Sequence, residues 1–451
     1  LLPTSWIPIP SLSIVEHRLI AIFAMATLFW VLEPIPIYAT SLLIILLELI
    51  MVSDKGFIFF RLYDENLGIL LSYKSIMATF ASPIIILFLG GFFLAMAATK
   101  YRLDLNLARV LLQPFGKKPK FVMLGLMIIT AIFSMFMSNT ATTAMMLALL
   151  TPILTVFTQN DKGKIAFALS IPVAANIGGI GTPIGTPPNA IALKYLTGDM
   201  VIGFGQWMSF AVPFVIILLI FAWLLLLKFF PATINEIQLD IKGKFLKNWK
   251  ALTVYITFGF TILLWLTDFI HGMNSYIVAM IPVAVFSTTG ILNKQDLRLI
   301  SWDVLWLVAG GIALGIGMEQ SGLSQHLIDS IPFESFSPYV IVLLATLLTI
   351  TMANFMSHTA TANLILPIMA ALGISLSSLV PLGGAMMLIL AVTMASSIAM
   401  VLPISTPPNA LAHATGLLET RQMAKVGIII GACGLIGIYL LMYILNVVNF
   451  L

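Results

Sequence analysis

Four short polar segments interrupt otherwise apolar sequence: Ser138-Asn139-Thr140, Ser357-His358-Thr359, Gly185-Thr186-Pro187-Pro188-Asn189 and Ser405-Thr406-Pro407-Pro408-Asn409. They carry hydroxyls, carboxamides and one imidazole, with no Lys or Arg. Adjacent prolines remove two backbone donors and disfavour helix at the residue before them, so a helix through either Thr-Pro-Pro-Asn must break at Thr186 or Thr406. A break frees carbonyls on one side, which suit a cation. On the other side it frees N–H groups, which suit an anion when hydroxyls stand beside them. A carboxylate fits such donors, and so does a neutral solute. One copy of the motif reads most simply as a hinge; two copies, each paired with a hydroxyl-rich segment, read as a binding site. The segments hold no Ser-Lys pair, Asp dyad or His-Glu metal set, so hydrolysis within a bilayer is not expected, and the chain is read as no enzyme.

The elements that must position these segments are membrane helices. The chain has 451 residues, 60% hydrophobic and 9% charged, where soluble domains carry roughly 25% charged residues. With a mean hydropathy of +1.08, this excludes a cytosolic enzyme, a nucleic-acid partner and a disordered chain, and predicts an all-α polytopic membrane protein. The lone Cys433 excludes a disulfide framework and a thiol metal site. Spanning helices are predicted at 14–32, 35–52, 76–98, 208–229, 251–268, 274–292, 302–318 and 426–448, each near the ~20 residues that cross ~30 Å of hydrocarbon. The runs 121–158, 165–198, 338–374 and 381–417 are apolar but broken near their middles.

Charge orients the chain. Lys100, Arg102, Arg109, Lys117, Lys118 and Lys120 stand against Asp104 alone in 99–120, and five lysines outnumber Glu236 and Asp240 in 228–250. Both segments are therefore cytoplasmic, which requires 121–158 to enter and return as a re-entrant hairpin. An arm of about 17 residues rises only about 26 Å, so the tip lies inside the membrane, where irregular backbone must line a protein-walled cavity. The sequence also repeats at a spacing of about 220 residues: Gly90-Gly91 with Gly310-Gly311, Ser138 to Thr142 with Ser357 to Thr361, and Thr186 to Ala190 with Thr406 to Ala410. Upstream, Trp30 to Glu33 resembles Trp265 to Asp268. The counterpart of the basic 99–120 is 319–338, with Glu319, Asp329 and Glu334 and no Lys or Arg. Opposite charge places equivalent segments on opposite sides, the mark of an inverted-topology repeat: 14–230 with hairpin 121–158 and broken helix 165–198, and 231–451 with hairpin 338–374 and broken helix 381–417.

The paired hairpin tips, the paired Thr-Pro-Pro-Asn breaks and Glu33-Pro34-Ile35-Pro36 resemble the divalent-anion:sodium symporter family, in particular its INDY-type dicarboxylate transporters, over essentially the whole chain. The family pattern has eleven spanning helices and two hairpins against ten spans counted here, so its first helix would precede residue 14, with Leu1 to Pro10 a remnant. The resemblance implies a homodimer in which a transport domain slides as an elevator against a scaffold. Succinate, malate, fumarate or 2-oxoglutarate would be its cargo. It also implies a first Na⁺ site from Ser134, Ser138, Asn139 and the Gly185 carbonyl. Substrate carboxylates would lie between Ser138, Asn139 and Thr140 on one side and Ser357, His358 and Thr359 on the other, flanked by Thr186-Pro187 and Thr406-Pro407.

The second cation site departs from the pattern. His358 stands where the family has Asn, Ala353 where a hydroxyl is expected, and Ser405 matches Gly185 in a degenerate site. Neutral imidazole is a poor ligand for hard Na⁺, and imidazolium repels it. His358 is either a harmless hydrogen-bonded substitution or a replacement for the ion, as donor or as proton carrier with an ordinary pKa of ~6.5. Loss of a driving cation suits exchange of one dicarboxylate for another. The expected function is thus dicarboxylate exchange in the plasma (inner) membrane as a multi-pass protein. Na⁺ is a coupling or structural ion, there is no other cofactor, and the partners are dicarboxylate anions and the lipid bilayer. Na⁺-coupled symport and an anion channel are the alternatives. Glu33 and Asp268 read as helix-end caps, Glu48 and Lys194 as residues snorkelling at the membrane edge, and 101–115 and 234–250 as helices lying on the inner surface.

Overall fold

Hydrocarbon leaves no solvent partner for backbone amides, so apolar runs of this length close into helices. The computed structural model, which describes residues 12–61, 66–158, 161–237, 244–330, 333 and 336–451, is accordingly helical. Its one isolated bridge among the described residues joins Ser53 to Leu71. Nine helices among the described residues are long and apolar enough to span a membrane.

The first half opens with α1 (Ile14–Leu32) and α2 (Ile37–Met51), and a short α3 (Tyr73–Ala78) leads into α4 (Pro83–Lys100). After α5 (Leu103–Leu112) come the hairpin arms α6 (Pro119–Phe136) and α7 (Asn139–Leu154), the broken helix α8 (Gly163–Gly179) with α9 (Pro187–Leu193), and α10 (Phe204–Phe229). The second half repeats the order. It runs α11 (Trp249–Leu266), the one-turn α12 (Asp268–His271), α13 (Ser275–Thr288), the one-turn α14 (Lys294–Leu297), α15 (Trp302–Gln320) and α16 (Leu323–Asp329). Hairpin arms α17 (Pro338–Phe355) and α18 (His358–Ser375) follow, then the broken pair α19 (Gly384–Ser397) and α20 (Pro407–Ala414), and last α21 (Thr420–Val447).

The repeated residues do repeated work. Trp30 and Trp265 are both fully buried, and their indole N–H groups donate across the following turn to the carbonyls of Ile37 at 3.2 Å and Ser275 at 3.1 Å. Gly90 lets α4 lie directly on Ala279 of α13, and Gly310 lets α15 lie directly on Ser41 of α2; a Cβ at either would overlap the partner backbone. The hairpins cross over: α7 packs on α20 of the other half, and α18 on α9. Large apolar side chains such as Ile217, Ile256 and Ile436 remain exposed around the periphery, as lipid-facing surface does.

A Lys–Asp ion pair and a His–Glu hydrogen bond mark the two ends. Lys100 Nζ lies 2.6 Å from Asp296 Oδ2, so the basic end of α4 and the turn before α15 share one side. Burial pushes the Asp296 carboxyl up, but hydrogen bonds from Lys100 and the Asn293 N–H, with the charge of Lys100, hold it below its ordinary value. At the other side His326 Nδ1 meets Glu16 Oε1 at 2.7 Å. Asp268 caps as expected, accepting from the Phe204 N–H at 2.8 Å.

Two expectations fail. The stretch 101–115 contains the surface helix α5, but the described residues 234–237 and 244–248 are non-helical, and the Ile237 N–H donates to the Lys117 carbonyl at 2.8 Å; residues 238–243 of the expected helix lie outside the described residues. The second failure concerns Glu48, which is fully buried rather than at an edge; Lys194 donates to the Ile312 carbonyl at 2.9 Å. The proposed remnant at Leu1 to Pro10 lies outside the described residues.

Candidate functional site

Each hairpin tip is tighter than the polar segments suggest. Only Met137-Ser138 and Met356-Ser357 lie between the arms, both methionines fully extended, so Asn139, Thr140, His358 and Thr359 begin the return helices instead of forming a loop. Serine explains this, because its short side chain favours the N-cap position. Two helix N-termini, those of α7 and α18, thus end in the interior. Their hydroxyls are used differently: Ser357 Oγ accepts from the Ala360 N–H at 3.1 Å, whereas Ser138 makes no such capping bond. The same asymmetry holds at the breaks, where Thr406 Oγ1 accepts from the Asn409 N–H at 3.2 Å and Thr186 caps nothing.

Each broken helix restarts at the first proline, where a missing N–H costs nothing. The carbonyls freed by the break are met by the motif's own asparagine. Asn189 Nδ2 reaches the carbonyls of Gly179, Ile180 and Thr182 at 3.2, 3.1 and 2.8 Å. Asn409 Nδ2 reaches those of Met400 and Leu402, both at 3.0 Å. Three carbonyls at the first break and two at the second are therefore occupied by a carboxamide, Gly185's not among them.

A cavity of about 330 Å³ lies where the four segments meet, at the small end of ligand-pocket size. The structure brings all the predicted substrate residues to its wall: Ser138, Asn139, Thr140, Thr186 and Pro187 from the first half, and Ser357, His358, Thr359, Thr406 and Pro407 from the second. Of the predicted cation-site residues, Gly185 and Ser405 also line it, while Ser134 is fully buried behind. Among the described residues no Lys or Arg reaches the wall, and Asp303 is its only carboxylate. Tyr38, Asn176 and Asp303 were not foreseen. Asn176 is joined to Asn409 at 3.0 Å across the two halves; an asparagine in the apolar run before a glycine-rich break was the available signal. Tyr38 and Asp303 begin α2 and α15, and only packing turns them inward.

In the first half, oxygens converge around Gly179. Ser134 Oγ lies 2.5 Å from Asn139 Oδ1 and 2.7 Å from the Ala175 carbonyl. A Cβ on Gly179 would stand 2.9 Å from Asn139 Oδ1 and 3.0 Å from the Gly185 carbonyl. This is a hard-oxygen set suited to Na⁺, with Ser134, Asn139, Gly185 and also Ala175. The second half differs at each point. His358 Nε2 is hydrogen-bonded to the Ala399 carbonyl; a carbonyl only accepts, so Nε2 carries a proton. Ala399, the counterpart of Gly179, brings the Cβ that the first half avoids. Ser405 Oγ is spent on the Asn354 carbonyl at 2.8 Å.

A family model described as the sodium:sulfate symporter transmembrane region matches residues 1–448. The chain belongs to this family. Relatives of this sodium:sulfate symporter family member include the sodium-dependent dicarboxylate transporter SdcS of Staphylococcus saprophyticus, 31% identical over 94% of this chain and 85% of its own. SdcS of Staphylococcus aureus strain USA300 is 32% identical over the same shares. Among solved structures, the Alcanivorax borkumensis YdaH transporter is similar with a TM-score of 0.58 over 93% of this chain and 98% of its own, at 15% identity, a likeness of fold alone. As a member of the sodium:sulfate symporter family, with apolar helices to match, the chain is a multi-pass plasma-membrane transporter and not an enzyme.

Proposed function

We propose that this chain carries C4 and C5 dicarboxylates such as succinate, malate, fumarate and 2-oxoglutarate by alternating access, with one Na⁺ bound in the first half, and that it works chiefly as an exchanger. The observation that carries the reading is a cavity that no Lys or Arg among the described residues lines, and on which the N-termini of α7 and α18 converge. Each terminus offers about half a positive charge, so the pair offsets about one of a dicarboxylate's two. One Na⁺ at Ser134, Asn139, Ala175 and Gly185 offsets the other. A second would be in surplus, and His358 takes the place it would need. The staphylococcal relatives, named as sodium-dependent dicarboxylate transporters, support both the cargo class and the ion.

The cavity includes Tyr38 and Asp303, at the ends of α2 and α15 that lie on the side of the Lys100–Asp296 pair. That side is cytoplasmic by its charge, so this is an inward-facing state. The hairpins and broken helices form the moving body of an elevator in each protomer of a homodimer, sliding against α2, α4, α13 and α15.

The test is uptake of labelled succinate into proteoliposomes. Uptake that requires internal dicarboxylate, with a Na⁺ gradient alone ineffective, is the expected result; uptake driven by the gradient into empty vesicles refutes exchange. That second outcome is ordinary Na⁺ symport, which the intact oxygen set of the first half favours. Saturable flux without unitary currents excludes a channel.

A further inference from the structure

One group on the cavity wall has the wrong sign for an anionic cargo. Asp303, the second residue of α15, is exposed at the cavity mouth, and among the described residues it forms no hydrogen bond or ion pair. No Lys or Arg among the described residues stands on the same wall to neutralise it. A round cavity of about 330 Å³ would be roughly 9 Å across, about one Debye length. Over such a distance through water, one unit charge changes the binding of another by about two- to threefold, and that of a dianion by about four- to ninefold.

Helix stability does not require this carboxylate. A first-turn acid meets the positive end of the helix dipole, but the repeat builds the same corner without one. The spacing that takes Gly310 to Gly90 takes Asp303 to Pro83, the first residue of α4, where Ser82 Oγ accepts from the Ile84 N–H at 3.4 Å. Tyr38, which lines the same mouth, does have its like in the other half: the offset relating Ser41 to Ala279, which contact Gly310 and Gly90, takes it to Tyr276. The aromatic ring is thus kept at both mouths of the inverted repeat and the charge only at the inner one.

We propose that Asp303 makes the inner mouth discriminate by sign of charge, holding Na⁺ on the carrier while the dicarboxylate leaves. The inference rests on the inward-facing exchange reading above. Asp303 belongs to the scaffold helix α15, so its carboxylate acts on the site only while the moving body presents that site to the cytoplasm. There it favours a cation at the oxygen set that ends in Gly185, on the cavity wall, and opposes a dianion beside it. The carrier left behind is loaded with Na⁺ and empty of cargo. A second dicarboxylate can bind it at once, which is exchange, whereas symport needs the Na⁺ to leave as well. Because one charge acts on both ligands, its removal moves two binding constants in opposite directions, which a loss of packing or of helix stability does not do.

The experiment compares the full chain with Asp303→Asn in inside-out vesicles, which present the cytoplasmic face, loaded with unlabelled succinate and exchanging it for labelled succinate outside. Half-saturating succinate is expected to fall about four- to ninefold and half-saturating Na⁺ to rise about two- to threefold. In right-side-out vesicles both stay within about 1.5-fold, because the outer mouth lacks the charge. Monomethyl succinate, with one charge fewer, shifts by about the square root of the succinate factor, and added N-methylglucamine chloride shrinks every shift. Asp303→Glu keeps the charge and leaves both constants within about twofold of wild type; Asp303→Ser serves where Asp303→Asn does not fold. Constants that stay put or move in the same direction, a shift equal for both cargo charges, or a shift equal at both faces overturns the proposal. Thermal stabilisation of the purified protein by Na⁺ alone reads the cation constant without cargo. Wild-type vesicles that exchange no succinate therefore overturn the cargo assignment, while a Na⁺ constant from that titration that does not rise in Asp303→Asn overturns the role of Asp303.

Discussion

The sodium site can be tested through a residue that holds no ion. Gly179 ends α8 with an ordinary backbone conformation that any residue adopts, so Gly179→Ala adds one methyl group and improves helix propensity by about 0.8–1.0 kcal/mol. That methyl would stand 2.8 Å from Asn139 Nδ2, 2.9 Å from its Oδ1 and 3.0 Å from the Gly185 carbonyl, where ordinary contact begins near 3.4 Å. The carboxamide and carbonyl must therefore retreat by roughly half an ångström, and overpacking of this kind costs about 1–3 kcal/mol. Taken from ion binding at 1.4 kcal/mol per decade, that is a rise of about 5- to 150-fold in half-saturating Na⁺. Na⁺ titration of labelled-succinate counterflow in proteoliposomes measures it, with the thermal midpoint of the purified protein as the control for folding. A folded variant whose half-saturating Na⁺ stays within about twofold of wild type would refute both the assignment of the site and the use of Gly179 as its open wall.

Three further outcomes follow from the same geometry. Ala399→Gly combined with His358→Asn and Ala353→Ser rebuilds the oxygen set in the second half, and should give sigmoidal Na⁺ dependence and gradient-driven uptake into empty vesicles; an unchanged hyperbolic curve counts against the replacement role of His358. Ser138→Ala should weaken succinate binding, read by isothermal calorimetry, while leaving the thermal midpoint unmoved because Ser138 caps nothing. Ser357→Ala removes a cap and should cost about 1 kcal/mol of stability as well; equal thermal losses in the two variants would sink the distinction. Asn189→Ala strands the Gly179 carbonyl, while those of Ile180 and Thr182 keep bonds from the Trp207 indole and the Gly185 N–H, and should destabilise by about 1–3 kcal/mol, visible as a lowered thermal midpoint even without Na⁺ or substrate.

Much of the site was legible because its chemistry is local. A proline pair must break a helix wherever the chain goes, and two copies in the same order announce that the breaks meet. His358 and Ala353 were likewise visible as departures, since a change from oxygen donor to imidazole or methyl alters cation binding whatever the surroundings. The satisfied carbonyls were less visible. That Asn189 and Asn409 turn back on their own breaks depends on the direction each side chain takes after the turn.

Length, hydropathy, charge and spacing by themselves determined a membrane protein with two related halves, hairpins and broken helices, because the bilayer leaves the backbone few options. Which residues face one another was decided only by tertiary structure. Close approach of α2 to α15 seals Glu48 inside, and the packing of α9 on α15 sets Lys194 against Ile312, where sequence placed both at the membrane edge. The packing of α8 on α6 brings the Ala175 carbonyl to Ser134. Such contacts join residues far apart in the chain, and no local period or motif encodes the crossing that makes them neighbours.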